Sequence, residues 1–367
     1  MTAYGTDSAP ATRRLPRALG VVAAGTALIA GLVTSADSTT APHSHSAAAR
    51  AAATGGQAND RNATRGISEG PVSATPKGLP PQQGRAKRHA GPNERAPRPA
   101  TAQGAEGVEN GEGQNAYSTR LLTWHSGPVQ TAPRIYLVLW GPSWSSTSGD
   151  PYGVANRLHY FYGGVGGSSV ANVLKQYSGS TGAFTNPTGQ YAGWLRDTTA
   201  VPAYPTKADV AAAAARAAAR VNNYSYNAQY VIATPWGVVD QYSTQNRFCA
   251  WHNWTLAGPS GSWVTYTSLP YTPYLDYIGR GCGGTKVNGS NGVLDGVTIN
   301  ALHEYAETVN DPGLNAWLDV DNSENADKCS WINLANKTLT NGYVFPVQPS
   351  WSNTWKTQNG YGCYYSS

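Results

Sequence analysis

Large apolar side chains are so unevenly spread along this chain that only the part beyond about residue 115 can build a core. Between residues 37 and 115 the sequence is mostly Ala, Gly, Pro, Ser, Thr and Arg. Such a segment cannot bury enough surface to offset the entropy of ordering it. It reads as a disordered linker or propeptide, and "RAKRH" (85–89) is a basic cluster that offers a processing site, against the commoner reading of a solvated charge run. Ahead of it, Arg13, Arg14 and Arg17 precede an apolar run from Ala18 to Val33, and Thr34-Ser35-Ala36 offers small residues for cleavage. That run is roughly 16 residues, short of the ~20 that span a bilayer. The expected organisation is a signal peptide (1–36), a linker (37–115) and one domain (116–367). The expected product is secreted and extracellular, with no stable membrane insertion after cleavage.

Charge follows the same division. Of the 26 Lys and Arg and 21 Asp and Glu, 13 and 8 lie at or before residue 120, so the remainder holds 13 of each. The net charge of +5 therefore belongs to the leader, and the folded part gives no electrostatic case for nucleic acid as a partner. All four cysteines lie in the folded part, an even count that reads as two disulfides in an exported chain. Of the three possible pairings, Cys249–Cys282 with Cys329–Cys363 is preferred, because it closes two moderate loops around residues 295–327. There is no CxxC spacing for a thiolate zinc site.

Within the domain, "PRIYLVLWG" (133–141) and "AQYVIATPWG" (228–237) read as buried strands, and "TKADVAAAAARAAARVNN" (206–223) as a helix capped by Thr206. "FCAWHNWTL" (248–256) follows, and "GSWVTYTSLPY" (261–271) alternates like an edge strand. A helix is expected from about Leu294 to Val309, ended by "NDPG" (310–313).

That last helix carries "HEYAE" (303–307). A zinc protease usually reads His-Glu-x-x-His, and Glu307 stands where the second histidine belongs. Residues four apart share a helix face, so His303 and Glu307 can chelate one ion. A carboxylate is a legitimate zinc ligand, and Glu304 sits where a zinc protease's glutamate activates water. Eight acidic residues fall between 295 and 327: Asp295, Glu304, Glu307, Asp311, Asp319, Asp321, Glu324 and Asp327. A buried carboxylate cluster needs a cation or protons to neutralise it. "SENAD" (323–327) makes Glu324 the candidate third ligand, with Asp311 as fallback and Asp327 as a hydrogen-bond partner for His303. His252 in "CAWHNW" is a candidate for polarising a substrate, against the plainer reading of a packed structural histidine. "LDVDNSENAD" offers calcium as an alternative cofactor, through Asp319, Asp321 and Glu324, without the glycine of an EF-hand. No G-x-S-x-G elbow supports a serine hydrolase.

Taken together, "ATPWG", "FCAWHNW", "GVLDGVTINALHEYAETVNDPG" and "SENADKCSW" resemble a zincin-like metallohydrolase family of secreted bacterial proteins. Its signature is a His-Glu-x-Ala-Glu helix, a Thr-Asp-Pro-like turn and a Glu-Asn-x-Asp-Lys-Cys segment. Asn310 stands where that pattern has Thr. More distantly the chain is similar to the plant phosphate-induced, Exordium-like extracellular proteins, which share the "DG-x-x-I-N" approach to the helix without the His-Glu pair. The bacterial resemblance implies an α+β, zincin-like domain: a mixed sheet, packed helices and a central active-site helix. It implies a monomeric zinc metallopeptidase acting on protein or peptide, with ligands His303, Glu307 and Glu324 and general base Glu304. The plant resemblance implies a non-catalytic protein that binds cell-wall polysaccharide.

Overall fold

The computed structural model describes residues 106–109, 119–245, 248–259 and 262–366. The export signal, and the linker apart from 106–109, lie outside the described residues. Those four residues form a short strand, β1 (Glu106–Glu109), so part of the segment assigned to the linker joins the sheet.

Five more strands complete that sheet: β2 (Arg134–Trp140), β3 (Tyr191–Asp197), β4 (Ala228–Ala233), β5 (Phe248–Leu256) and β6 (Trp263–Leu269). The spatial order is β1-β5-β6-β4-β2-β3. Strands β3, β2, β4 and β6 run parallel, β5 runs antiparallel to β6, and β1 antiparallel to β5. The sheet is thus mixed, as expected. The stretch 261–271 is no edge: β6 lies between β5 and β4, because the chain returns after β5 and inserts β6 beside the parallel set.

Alternation along β2 explains why helices cover both faces. Ile135, Leu137 and Leu139 enter one core, and Val138 and Trp140 enter the other. Buried parallel strands read as near-continuous apolar runs for this reason. Helix α1 (Val154–Val165) packs on the first face. Helix α2 (Lys207–Val221) packs on the second through Val210, Ala213, Ala214, Ala217 and Ala218. Small alanines let that helix approach the strands closely. Thr206 and Asp209 form the reciprocal capping box at its start, which satisfies two otherwise unpaired backbone donors. Among the described residues, no helix is long and apolar enough to cross a membrane.

A short helix, α3 (Thr272–Tyr277), leads into the glycine-rich loop, and α4 (Asp295–Asn310) follows on the same face as α1. Every residue of α4 is buried. Asp295 does not cap its own helix. Its carboxylate accepts the backbone N–H groups of Val287 and Asn288 and so tethers the loop ahead of it. Both disulfides form in the preferred pairing, Cys249–Cys282 and Cys329–Cys363. The first joins β5 to the loop that precedes α4, fixing two of the elements that carry candidate site residues. Such bonds belong to an oxidising compartment.

Helix α4 docks on that loop through Gly296. A Cβ there would overlap the Cys282 carbonyl oxygen and lie 2.9 Å from a Thr272 methyl. In an open helix Gly→Ala gains about 1 kcal/mol. Here we expect the reverse: Gly296→Ala lowers the urea midpoint, with a net loss of roughly 1 kcal/mol or more, as crowded positions show. A raised midpoint would mean that the helix does not sit this close.

Candidate metal centre

One turn of α4 presents His303, Glu304 and Glu307, and Asp311 follows at its C-terminal cap. His252 comes from the middle of β5, where the alternation sends Trp251 into the α2 core and His252 towards α4. The Trp251 indole is held on its own side by Asp240 (Nε1 to Oδ2, 2.8 Å), which also accepts from Ser268 Oγ. Burial pushes the Asp240 carboxyl up, against the pull of these donors and of the Ser243 N–H.

Glu324 and Asp327 arrive from a loop laid along α4. Asp327 donates its backbone N–H to Glu307 Oε1 (2.9 Å), Asn325 Nδ2 reaches the Ala306 carbonyl, and Gln348 Nε2 holds the Ala326 carbonyl. The Cys329–Cys363 bridge fixes the end of this loop.

Seven ionisable groups therefore meet: His252, His303, Glu304, Glu307, Asp311, Glu324 and Asp327, none more than 2% exposed. His252 is the hub. Its Nδ1 lies 3.3 Å from Glu304 Oε2 and 3.7 Å from Glu307 Oε2, and its Nε2 lies 3.6 Å from Glu324 Oε1. His303 Nε2 lies 2.9 Å from Glu307 Oε1 and 3.5 Å from Asp327 Oδ1. Yet neither ring nitrogen of His303, nor Glu307 Oε2, makes a hydrogen bond of sound geometry. Two sets of three offer ligand atoms within 4.8 Å of one another: His252, Glu307 and Glu324, and His303, Glu304 and Glu307.

All five residues singled out in the sequence as ligands or catalytic groups thus sit in one cluster, with Asp311 and Asp327 beside them. The grouping differs from the one expected. Glu324 gathers with His252 and Glu307, whereas His303 gathers with Glu304 and Glu307. Sequence reasoning weighed His252 as a substrate-polarising or a packed structural histidine and did not place it among the candidate metal ligands. The available signal was Cys249, three residues earlier, whose partner Cys282 lies just ahead of α4.

The donor set suits a divalent cation. Zinc bonds of about 2.0–2.1 Å in tetrahedral array put neighbouring ligand atoms about 3.4 Å apart. The 3.7 Å separation of His252 Nδ1 from Glu307 Oε2 is long for a hydrogen bond but close to that edge, while Glu324 Oε1 lies 3.6 Å from the other ring nitrogen, Nε2. The imidazoles are also differentiated. Burial pulls His252 down, which favours the neutral ring that ligates. Burial also acts to lower His303, but Glu307 and Asp327 beside it outweigh that and push it well up.

The acidic residues further along serve a different purpose. Asp319 pairs with the buried ammonium of Lys328 (2.5 Å) and accepts the backbone N–H groups of Asp321 and Ser323. It is a neutralised turn residue. Asp319 and Asp321 join neither ligand group, while Glu324 does.

Comparison with protein-family models, curated proteins and solved structures finds no match.

The cluster sets a pH dependence for metal-free protein. Burial raises Asp311 to about 6, although the Ala316 N–H and His252 oppose it. The folded state then binds this proton more tightly than the unfolded state, so its contribution to stability is full below about pH 4 and is lost as pH rises through 6. Asp311→Asn keeps an oxygen for the Asn315 and Ala316 N–H groups that Oδ1 now accepts. In chelator the variant is expected to gain roughly 2–3 kcal/mol on wild type between pH 4 and 7.5. Parallel stability curves from chemical denaturation would exclude this.

Proposed function

We propose that this protein is a divalent-metal-dependent hydrolase, with zinc as the leading metal and peptides as the leading substrate class. The observation that carries the reading is the gathering of His252, Glu307 and Glu324, whose ligand atoms lie within 4.8 Å of one another, with Glu304 beside them. In this proposal those three residues hold the ion, in place of the His303, Glu307 and Glu324 set expected from the sequence. His303 braces the other oxygen of Glu307 (Oε1), which the Asp327 N–H also fixes.

A divalent cation bound there supplies charge stabilisation and acidifies water. Glu304 accepts a proton at its carboxylate from the attacking water and returns it to the leaving group. Burial suits that role, because charges act more strongly where water is excluded. Peptide as substrate rests on the sequence resemblance, and a secreted location on the signal-like start of the sequence and the two disulfides.

A second reading has its own support. Every group of the cluster is buried, whereas a catalytic metal site keeps an open position. In that reading the ion is a structural staple and the protein an extracellular binding module for polysaccharide. Exposed Tyr277, ring to ring with Trp236 and Tyr274, offers sugars an aromatic surface.

Glu304→Gln separates the two. The hydrolase reading expects the variant to retain its metal and lose about 10²–10⁴-fold in peptide hydrolysis, the usual contribution of a general base. Unaltered hydrolysis in the variant would sink it. Metal loss that lowers the melting temperature of a protein with no hydrolysis in any form would favour the staple.

A further inference from the structure

The two ligand groups share one residue, and its two oxygens do not face the same way. Glu307 Oε1 lies 2.9 Å from His303 Nε2, and Glu307 Oε2 lies 3.7 Å from His252 Nδ1. The remaining members differ, Glu324 with His252 in one group and Glu304 with His303 in the other, although Glu304 Oε2 also lies 3.3 Å from His252 Nδ1. This is the layout of a carboxylate bridging two ions. Two-metal sites hold their ions about 3.5–4 Å apart, a span one bridging carboxylate covers.

We propose that the cluster takes two divalent cations, bridged by Glu307. One lies between His252 and Glu324, the other between His303 and Glu304. Two further observations point the same way. Both ring nitrogens of His303 are buried without a well-formed hydrogen bond, although Glu307 Oε1 stands only 2.9 Å from one of them. A nitrogen and an oxygen that approach so closely without pointing at each other can point at a common third atom. The charge count agrees. Five carboxylates meet two imidazoles in a fully buried volume. Counting these groups alone, with neutral rings, one divalent cation leaves three negative charges and a second leaves one. Uncompensated charge in such a place is costly.

This inference rests on the metal-site reading above and extends it.

The test is metal content of the full-length chain, apo protein equilibrated with zinc, desalted, and analysed by inductively coupled plasma mass spectrometry. Wild type is expected to hold two zinc ions per chain. His303→Ala and His252→Ala are each expected to hold one, and Glu307→Gln fewer than either. His125→Ala, at an exposed histidine remote in sequence from the cluster, is expected to keep two. A wild-type content of one ion would overturn the proposal without any variant needing to fold. So would loss of the second ion in His125→Ala, which would place it on the surface. Two ions lost singly from the His252 and His303 variants support it even if no hydrolysis is ever detected. That last result would sink the hydrolase reading alone.

Discussion

The structure turns on placing a helix that carries ionisable side chains where water does not reach. Helix α4 is buried over its whole length, from Asp295 to Asn310. Along its length Val297, Ile299, Leu302 and Val309 join the core shared with α1 and the sheet. The turn between them brings His303, Glu304 and Glu307 into the same interior. Hydrophobic packing fixes where the helix lies, and it leaves those groups no solvent in which to spread their charge. Everything that surrounds them is arranged to supply partners. Strand β5 contributes His252, and the loop after α4 contributes a backbone N–H at Asp327 and a carboxylate at Glu324.

Those contributors come from distant parts of the chain, so their positions have to be held independently. The disulfides do this at two points. Cys249–Cys282 joins β5 to the entry of α4, and Cys329–Cys363 closes the loop that carries Glu324 and Asp327. Side-chain bonds to backbone do the finer work, Asn325 to Ala306 and Gln348 to Ala326. The acidic residues divide into separate populations. Asp295, Asp311 and Asp319 are occupied with backbone N–H groups and shape loops, whereas Glu304, Glu307 and Glu324 face the imidazoles.

What the sequence made legible was local. Helical spacing placed His303 and Glu307 on one face, the Thr206–Asp209 pattern marked the start of α2, and β-branched runs marked β2 and β4. The disulfide pairing was also legible, since sequential pairing asks least of the chain. What escaped was relational. The alternation in 261–271 looked like an edge because period two says nothing about how many neighbours a strand has. The structure gives β6 a partner on each side. Likewise nothing in "CAWHNW" says which carboxylates β5 will face. That depends on the crossing of β5 and α4, set by packing across the whole sheet. Within "LDVDNSENAD", likewise, neighbouring acids part ways, because Lys328 claims Asp319 while Glu324 turns inward.

The choice of glutamate at 307 follows from shape. A histidine there would present one nitrogen to the site and hold its other nitrogen on the far side of a rigid ring. Glu307 has two equivalent oxygens about 2.2 Å apart, as any carboxylate does, and both are needed. Oε1 accepts the Asp327 N–H and stands against His303, while Oε2 faces His252. A single side chain thus anchors the loop that brings Glu324 and still presents an oxygen to His252. Were residue 307 an imidazole, the Asp327 N–H would lose its acceptor inside the protein, at a cost of about 1–3 kcal/mol. The glutamate is therefore no weakened copy of a histidine ligand. It is the residue through which helix, strand and loop become one site.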